Sequence, residues 1–516
     1  MSLKNIISIS FLIFFFSISL FAQDVSSGVK LIRNEKFNEA KKYFKGLLSS
    51  KSAAEAYFYL GEIFIIEENV DSAKICYVKG IESNIEFPLN YAGMVRLNVL
   101  DGNEAEITKN RNQAIDLGDE ENAKVYIVLA DAYLHIKYYD TAKQFLDKAL
   151  ENKLNTAGIQ ITMGRVHLGK INGTEAMKSF EEALKIEPGN PEALTLKANV
   201  YSLINNYNSA ISLLNEAISS DSTYSAAYRD LAEVYANIKD YSKASEYFLK
   251  YINKSETTSE NLKRYASILY LNKDYRKAID ILENLISKDP NNASSIRIVA
   301  YSYFKLDDIE NSKSFFQKLF SLSDVKYLPT DYENYAELLS KTGNDSLAVE
   351  YLAKVIEVDS SRKDIYGKMS ILYFKNKKWD GVISSLNSKG ELTAQEYFDI
   401  GKAYYFTQKY NEADEAFNTL TSKVPDLAIA YFWRARVKTN FDPESDSGLA
   451  KPYYDQFISL SQEDTTKFKK ELIEAYSYLG YYYYLKTDNA NSKLYWQKVY
   501  AIDPKNVQAV EALKSL

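Results

Sequence analysis

Six fragments of this chain begin 34 residues apart: "IKYYDTAKQFLDKAL" at 136, "KINGTEAMKSFEEAL" at 170, "INNYNSAISLLNEAI" at 204, "IKDYSKASEYFLKYI" at 238, "NKDYRKAIDILENLI" at 272 and "LDDIENSKSFFQKLF" at 306. A fixed period of this length means that one supersecondary unit is stacked on copies of itself, each burying its neighbour's apolar face. One elongated array therefore replaces the several globular domains that 516 residues would otherwise imply.

Each unit reads as two antiparallel helices. In 225–258 they are "SAAYRDLAEVYANI" and "SKASEYFLKYINK", joined by the turn "KDY", with apolar residues at helical spacings of three and four. Residues suited to capping open the second helix: Asn38, Asp71, Asp140, Thr174, Asn208, Ser242, Ser346, Asp380 and Asn411. Small residues recur in the first helix (Gly61, Ala130, Gly164, Ala198, Ala232, Ala266, Gly401, Gly480) and in the second (Ala40, Ala73, Ala142, Ala176, Ala210, Ala244, Ala278, Ala413). Large ones lie a turn away: Tyr133, Tyr201, Tyr235, Tyr303, Tyr373, Tyr404 and Tyr483 in one slot, and Phe44, Tyr77, Phe180, Phe248, Phe316, Phe417 and Trp496 in the other. Pro188, Pro290, Pro425 and Pro504 stop second helices.

These residues resemble the tetratricopeptide repeat family over nearly the whole chain from Asp24 onward. The resemblance implies an all-α, right-handed superhelical solenoid whose concave groove is lined by first helices. About fourteen units are expected, starting near 24, 54, 88, 123, 157, 191, 225, 259, 293, 329, 363, 394, 428 and 473. The unit at 88–122 is degenerate in its second half. A capping helix is expected over 503–516, with Val507, Val510 and Leu513 inward. The sequence divides into a regular array over 24–325, units of irregular spacing over 326–390, and individual units over 391–516. "SLSDVKYLPTD" adds two residues to the period after Ser321, a unit shortens near Ser388–Gly390, and an insertion spans 440–472. Insertions of this kind can carry binding.

Residues 1–22 read as a signal peptide: Lys4, an apolar run from Ile6 to Phe21, and a small residue at Ala22. Export, with the mature chain in the periplasm or outside the cell, is the expectation. No later apolar run is long enough for a transmembrane segment. Cys76 stands alone on the apolar side of a helix and is expected to be inert. The net charge of −6, with both signs interspersed, offers no basic field for nucleic acid.

Chemistry has few candidates. The two histidines are His135, one turn after Asp131, and His167, in a large packing slot. No motif implies a cofactor, a metal or an enzyme, and carboxylates are evenly scattered. The first-helix face is mixed in sign through Arg96, Asp131, Arg165, Asn199, Arg229, Glu233, Lys263, Arg297, Tyr301 and Glu337, which suits an extended peptide or mere solubility. Toward the C-terminus it turns aromatic and cationic: Phe398, Lys402, Tyr405, Phe406, Phe432, Arg436, Tyr481 and Tyr484. Rings supply contact area at low entropy cost, and cations orient a carboxylate. These eight residues are the candidate peptide-binding site of a non-catalytic scaffold for cell-envelope proteins. A binder of envelope glycan, stacking sugars on tyrosine, is the alternative.

Overall fold

The computed structural model describes residues 25–118, 122–462 and 466–516, so the expected export segment lies outside the described residues. These residues form twenty-nine α-helices and no strand, running as consecutive antiparallel pairs from Val25–Arg33 to Asn489–Ile502. A last helix, Val507–Ser515, follows. It buries Ala509 beside Trp496 and packs Leu513 there, while Val507 points outward, contrary to expectation. The described residues divide into two compact units, one up to Pro290 and one from Asn291 onward.

The small and large slots meet as close packing requires. A Cβ placed on Gly164 would lie 2.3 Å from the Phe180 ring, and one on Gly401 would lie 2.8 Å from the Phe417 ring. Phe44, Tyr77, Phe180, Phe248, Phe316 and Phe417 are all fully buried. The second tyrosine series stacks on a ring twelve residues later in the partner helix: Tyr133 on Phe145 at 5.6 Å, Tyr235 on Tyr247 at 5.5 Å, Tyr303 on Phe315 at 5.7 Å and Tyr483 on Tyr495 at 5.6 Å. These pairs account for six of the tyrosines without invoking a ligand.

Second helices begin earlier than expected. Asn69, Asn172, Asn206 and Asp240 accept the backbone N–H three residues on, two positions upstream of the expected Asp71, Thr174, Asn208 and Ser242. The preceding residue sits at positive φ, closing a Schellman-type turn: Lys239 N–H donates to Ala236 O and Asp240 N–H to Tyr235 O. Second helices end two residues before their prolines, at Ile186, Lys288, Lys423 and Ile502.

The breaks in rhythm are fastened. After Phe320, the added residues lead to the helix Pro329–Lys341, whose Asp331 is 0 % exposed. Its carboxylate accepts from Arg297 Nε at 2.8 Å, the Tyr301 hydroxyl at 2.5 Å and the Leu328 N–H at 2.8 Å. Phe316, Phe320, Tyr327, Tyr332, Tyr335 and Tyr351 cluster against it. In the insertion, Asp442 accepts the N–H groups of Ser447, Gly448 and Leu449, folding the loop onto itself. The degenerate unit keeps both helices, Pro88–Asp101 and Glu104–Leu117, and bonds Asn110 to Asn98 at 3.1 Å where other units pack a ring.

Within the first unit the N-terminal hairpin meets helices far along the chain. The Glu35 carboxylate accepts from Arg229 and from the Tyr251 hydroxyl, at 2.6 Å for the latter. The Glu256 N–H donates to Glu35 O at 3.0 Å, and the Glu256 carboxylate accepts the Asn38 N–H at 2.9 Å.

Candidate functional site

Successive first helices present one residue position every 34 or so residues to the same face, so charges there face the units before and after. Most are already matched. Arg96 bonds Glu62 at 2.9 Å, Arg165 bonds Asp131 at 3.1 Å, Asn199 bonds Asp230 at 2.9 Å, and Arg264 pairs with Glu233. In the second unit Arg297 pairs with Asp331, and Glu333 takes both Arg362, at 3.0 Å, and Lys368. The mixed signs of this face are therefore a ladder of pairs between neighbouring units. Asp131, engaged with Arg165, does not assemble a metal or acid–base site with the exposed His135; among the described residues no group of three ligand-type side chains gathers.

The ladder fails in the second unit, where Lys368, Lys402 and Arg436 follow one another at 34-residue spacing. Lys368 has Glu333 behind it, and Arg436 Nε donates to Glu474 Oε1 at 2.7 Å. Lys402, between them, makes no ion pair and no hydrogen bond through its ammonium among the described residues. It is half-buried on the helix Ala394–Phe406, with Nζ 5.1 Å from the Phe374 ring centroid, 5.4 Å from Phe398 and 5.0 Å from Trp433. Burial pushes its pKa down, the Asp399 carboxylate one turn earlier opposes that, and Arg436 adds to it. Burial in turn raises the pKa of Asp399. The Arg436 guanidinium lies 4.9 Å from the same Trp433 ring, so two cations share one indole with Glu474 bonded to only one of them. Cation–π contact offsets part of the desolvation, by about 0.5–2 kcal/mol per contact, and leaves the Lys402 charge without a counter-ion.

The eight candidate residues fall into three places. Lys402, Arg436, Tyr405 and Phe398 come together: Tyr405 lies edge-on to Trp433 at 5.4 Å, and Phe398 meets Phe417 at 6.2 Å. Phe406 stacks on Trp379 at 4.7 Å and keeps its other side exposed. Phe432 is 3 % exposed and belongs to the core, covered by Phe457 at 5.2 Å and Tyr454 at 6.2 Å, so it offers no surface for a partner. The covering rings stand on Lys451–Leu460, a helix within the insertion. Tyr481 and Tyr484 are exposed on the helix Lys469–Leu485 and make no ring contact with the cluster. Phe374, Trp379 and Trp433 were missed by sequence reasoning. Trp433 stands 31 residues after Lys402, and that near-repeat offset is the signal that places it beside Lys402, facing the preceding unit.

The first unit holds a cavity of about 940 Å³ lined by Val25, Val29, Lys30, Tyr59, Lys124 and Asp221. Lys124 lies 3.7 Å from Glu55 and Lys30 lies 4.0 Å from Asp221, and the third cation of its lining, Arg33, is exposed to solvent. Lys402 thus remains the sharper feature.

The family can now be set beside this geometry. Tetratricopeptide-repeat profiles match residues 123–156, 191–224, 264–292 and 332–362. The C-terminal part of a TPR repeat-containing protein from Cytophaga hutchinsonii is 30 % identical, over 49 % of this chain and 99 % of that one, with a TM-score of 0.40. The chain is a tetratricopeptide-repeat protein. Also similar are a tetratricopeptide repeat protein from Parabacteroides merdae (17 % identical, 47 % of this chain, 95 % of that one, TM-score 0.33) and YrrB, a TPR protein with an unusual peptide-binding site (19 %, 36 % and 95 %, TM-score 0.26). No curated protein matches the chain. Tetratricopeptide repeats build interaction scaffolds for protein and peptide partners, and no described helix is long and apolar enough to cross a membrane.

Proposed function

We propose that this tetratricopeptide-repeat protein is an exported, non-catalytic scaffold of the periplasm that holds acidic segments of cell-envelope proteins against the first-helix face around Lys402. One observation carries the reading: on a face where neighbouring units pair their charges, Lys402 is half-buried among three rings with no counter-ion and a second cation beside it. A carboxylate of the partner completes the ladder, and the rings of Tyr405 and Phe406 hold the adjoining side chains. Export rests on the sequence of residues 1–22 and is tested by N-terminal sequencing of the fractionated protein, which is expected to begin near Gln23.

The binding reading is tested by selecting a random peptide library on the intact protein and on Lys402→Met, which keeps the aliphatic stem. Peptides enriched in Asp and Glu are expected on the parent, with affinity lower by at least about tenfold on the variant, the worth of a charge-assisted hydrogen bond. Binding is expected to weaken with salt and to fall as pH rises through the lowered Lys402 pKa, ahead of the ordinary lysine value of 10.5. Selection of peptides without acidic residues, or equal selection by both proteins, refutes it. Binding of envelope glycan instead, insensitive to salt and lost in Tyr481→Ala with Tyr484→Ala, establishes the alternative on the two exposed tyrosines.

A further inference from the structure

The turns between paired helices carry a second feature that peptide binding leaves unused. Five successive turns of the first unit place a residue at positive φ at 34-residue spacing: Lys137, Ile171, Asn205, Lys239 and Lys273. Glycine is the ordinary occupant of such a position, because a Cβ there is strained, and a β-branched residue is the most strained of all. Ile171 nevertheless sits at φ 59° and is 94 % exposed, so neither backbone preference nor packing explains it. The next turn exposes Leu203 (75 %) and Ile204 (66 %), and the turns on either side expose Tyr138 and Ile238. Because the units stack in register, these tips run along one edge of the first unit as a projecting apolar ridge.

The charges on that edge are unevenly engaged. Lys137, Lys239 and Lys273 are exposed and make no ion pair among the described residues. Two of the carboxylates nearby are taken up by other cations, Asp140 by Lys170 and Asp240 by Lys243 at 3.5 Å, while Asp274 accepts from Asn272. What the edge offers outward is therefore aliphatic and aromatic tips flanked by free lysines. Isolated tips on a ridge enclose no pocket, so a folded partner would need a groove cut to each. A lipid interface needs none: it takes each aliphatic tip among the acyl chains, while lysine stems extend to anionic headgroups.

We infer that this edge of the first unit, Tyr138, Ile171, Leu203, Ile204 and Ile238 with Lys137, Lys239 and Lys273, docks on the surface of an anionic lipid bilayer. The site lies in the other unit from Lys402.

The test is flotation with vesicles of phosphatidylcholine mixed with phosphatidylglycerol, and with vesicles of phosphatidylcholine alone. It uses the chain from Gln23 onward, which contains every described residue and omits the apolar segment at 6–21. The parent is expected to float with the anionic vesicles. Ile171→Gly combined with Leu203→Ser and Ile204→Ser is expected to reduce partitioning by at least about tenfold. Ile171→Gly relieves backbone strain, and an unchanged or raised Tm shows that the loss is not unfolding. Lys137→Glu with Lys239→Glu and Lys273→Glu is expected to abolish the preference for anionic over neutral vesicles. Failure of the parent to float, or equal flotation of parent and triple aliphatic variant, overturns the inference. So does a parent that self-associates in solution through the ridge, its dimer lost in the same variant, because the occupant is then a second copy.

Discussion

The irregular spacing after Phe320 is held by one buried carboxylate, and removing it has a calculable consequence. Asp331→Ala strips three partners at once: the Arg297 guanidinium, the Tyr301 hydroxyl and the Leu328 N–H. Arg297 keeps a hydrogen bond to Lys326 O at 3.1 Å, but its charge loses its counter-ion. The Arg297 side chain is 14 % exposed and that of Asp331 is not exposed at all, so solvent cannot substitute. Breaking a buried pair from one side costs about 3–5 kcal/mol, and a change of that size lowers Tm by about 2–4 °C per kcal/mol in a body of this size. Thermal unfolding is expected to start about 10 °C earlier. Because a repeat array is stabilised by nearest neighbours, amide exchange should accelerate first in Pro329–Lys341 and the helix before it. A double-mutant cycle with Arg297→Leu isolates the pair. The two changes together are expected to cost about 1–3 kcal/mol less than their sum. Additivity within about 0.5 kcal/mol refutes the reasoning, and the aromatic cluster around Phe320 then holds the segment unaided.

Three further outcomes follow from named contacts. Glu35→Ala removes the acceptor of Arg229 and Tyr251, and is expected to raise amide exchange in the N-terminal hairpin, a loss of about 1.5–3 kcal/mol of local stability. Lys377→Gly places glycine at φ 54°, and is expected to raise Tm by the equivalent of about 0.5–1 kcal/mol, measured by calorimetry. Burial favours the neutral form of Glu333, yet hydrogen bonds from Lys368 and Arg362 outweigh it and hold the carboxyl below its usual value of 4.5. Its contribution is therefore fully present above pH 4.5 and is lost as pH falls through the lower folded value, so acid unfolding of Glu333→Gln should show a weaker pH dependence than the parent.

What the sequence disclosed depended on the range of the interaction. Gly164 against Phe180 and the end of each second helix before its proline are set by residues within one unit, and were legible. The capping residues were placed two positions late because "KDY" was assigned to the turn, whereas the aromatic residue already belongs to the helix, as in Tyr241–Lys254. Phe432 and Arg436 stand four residues apart on one helical face, as spacing requires. Which of them reaches solvent is decided by Phe457 and Tyr454, brought in by the helix within the insertion. No local pattern marks Glu35 and Arg229, 194 residues apart, as partners.

The same dependence on range separates scaffolding from function on the first-helix face. An alternation of charge along a single helix says little, because its partner is not on that helix. Once units stack, a cation at one position is neutralised when the unit before or after supplies a carboxylate within reach, as Glu62 does for Arg96 and Asp131 for Arg165. The informative position is the one where that supply stops. Between Lys368 and Arg436 the neighbours of Lys402 are themselves cations, each with a carboxylate of its own. Asp399 is close enough to moderate the charge and makes no ion pair with it. A half-buried ammonium kept in that state costs stability that a Leu or Met in the same ring-lined place would not. The rings explain why it is tolerated, and the acidic segment proposed above would supply the carboxylate that the neighbouring units do not.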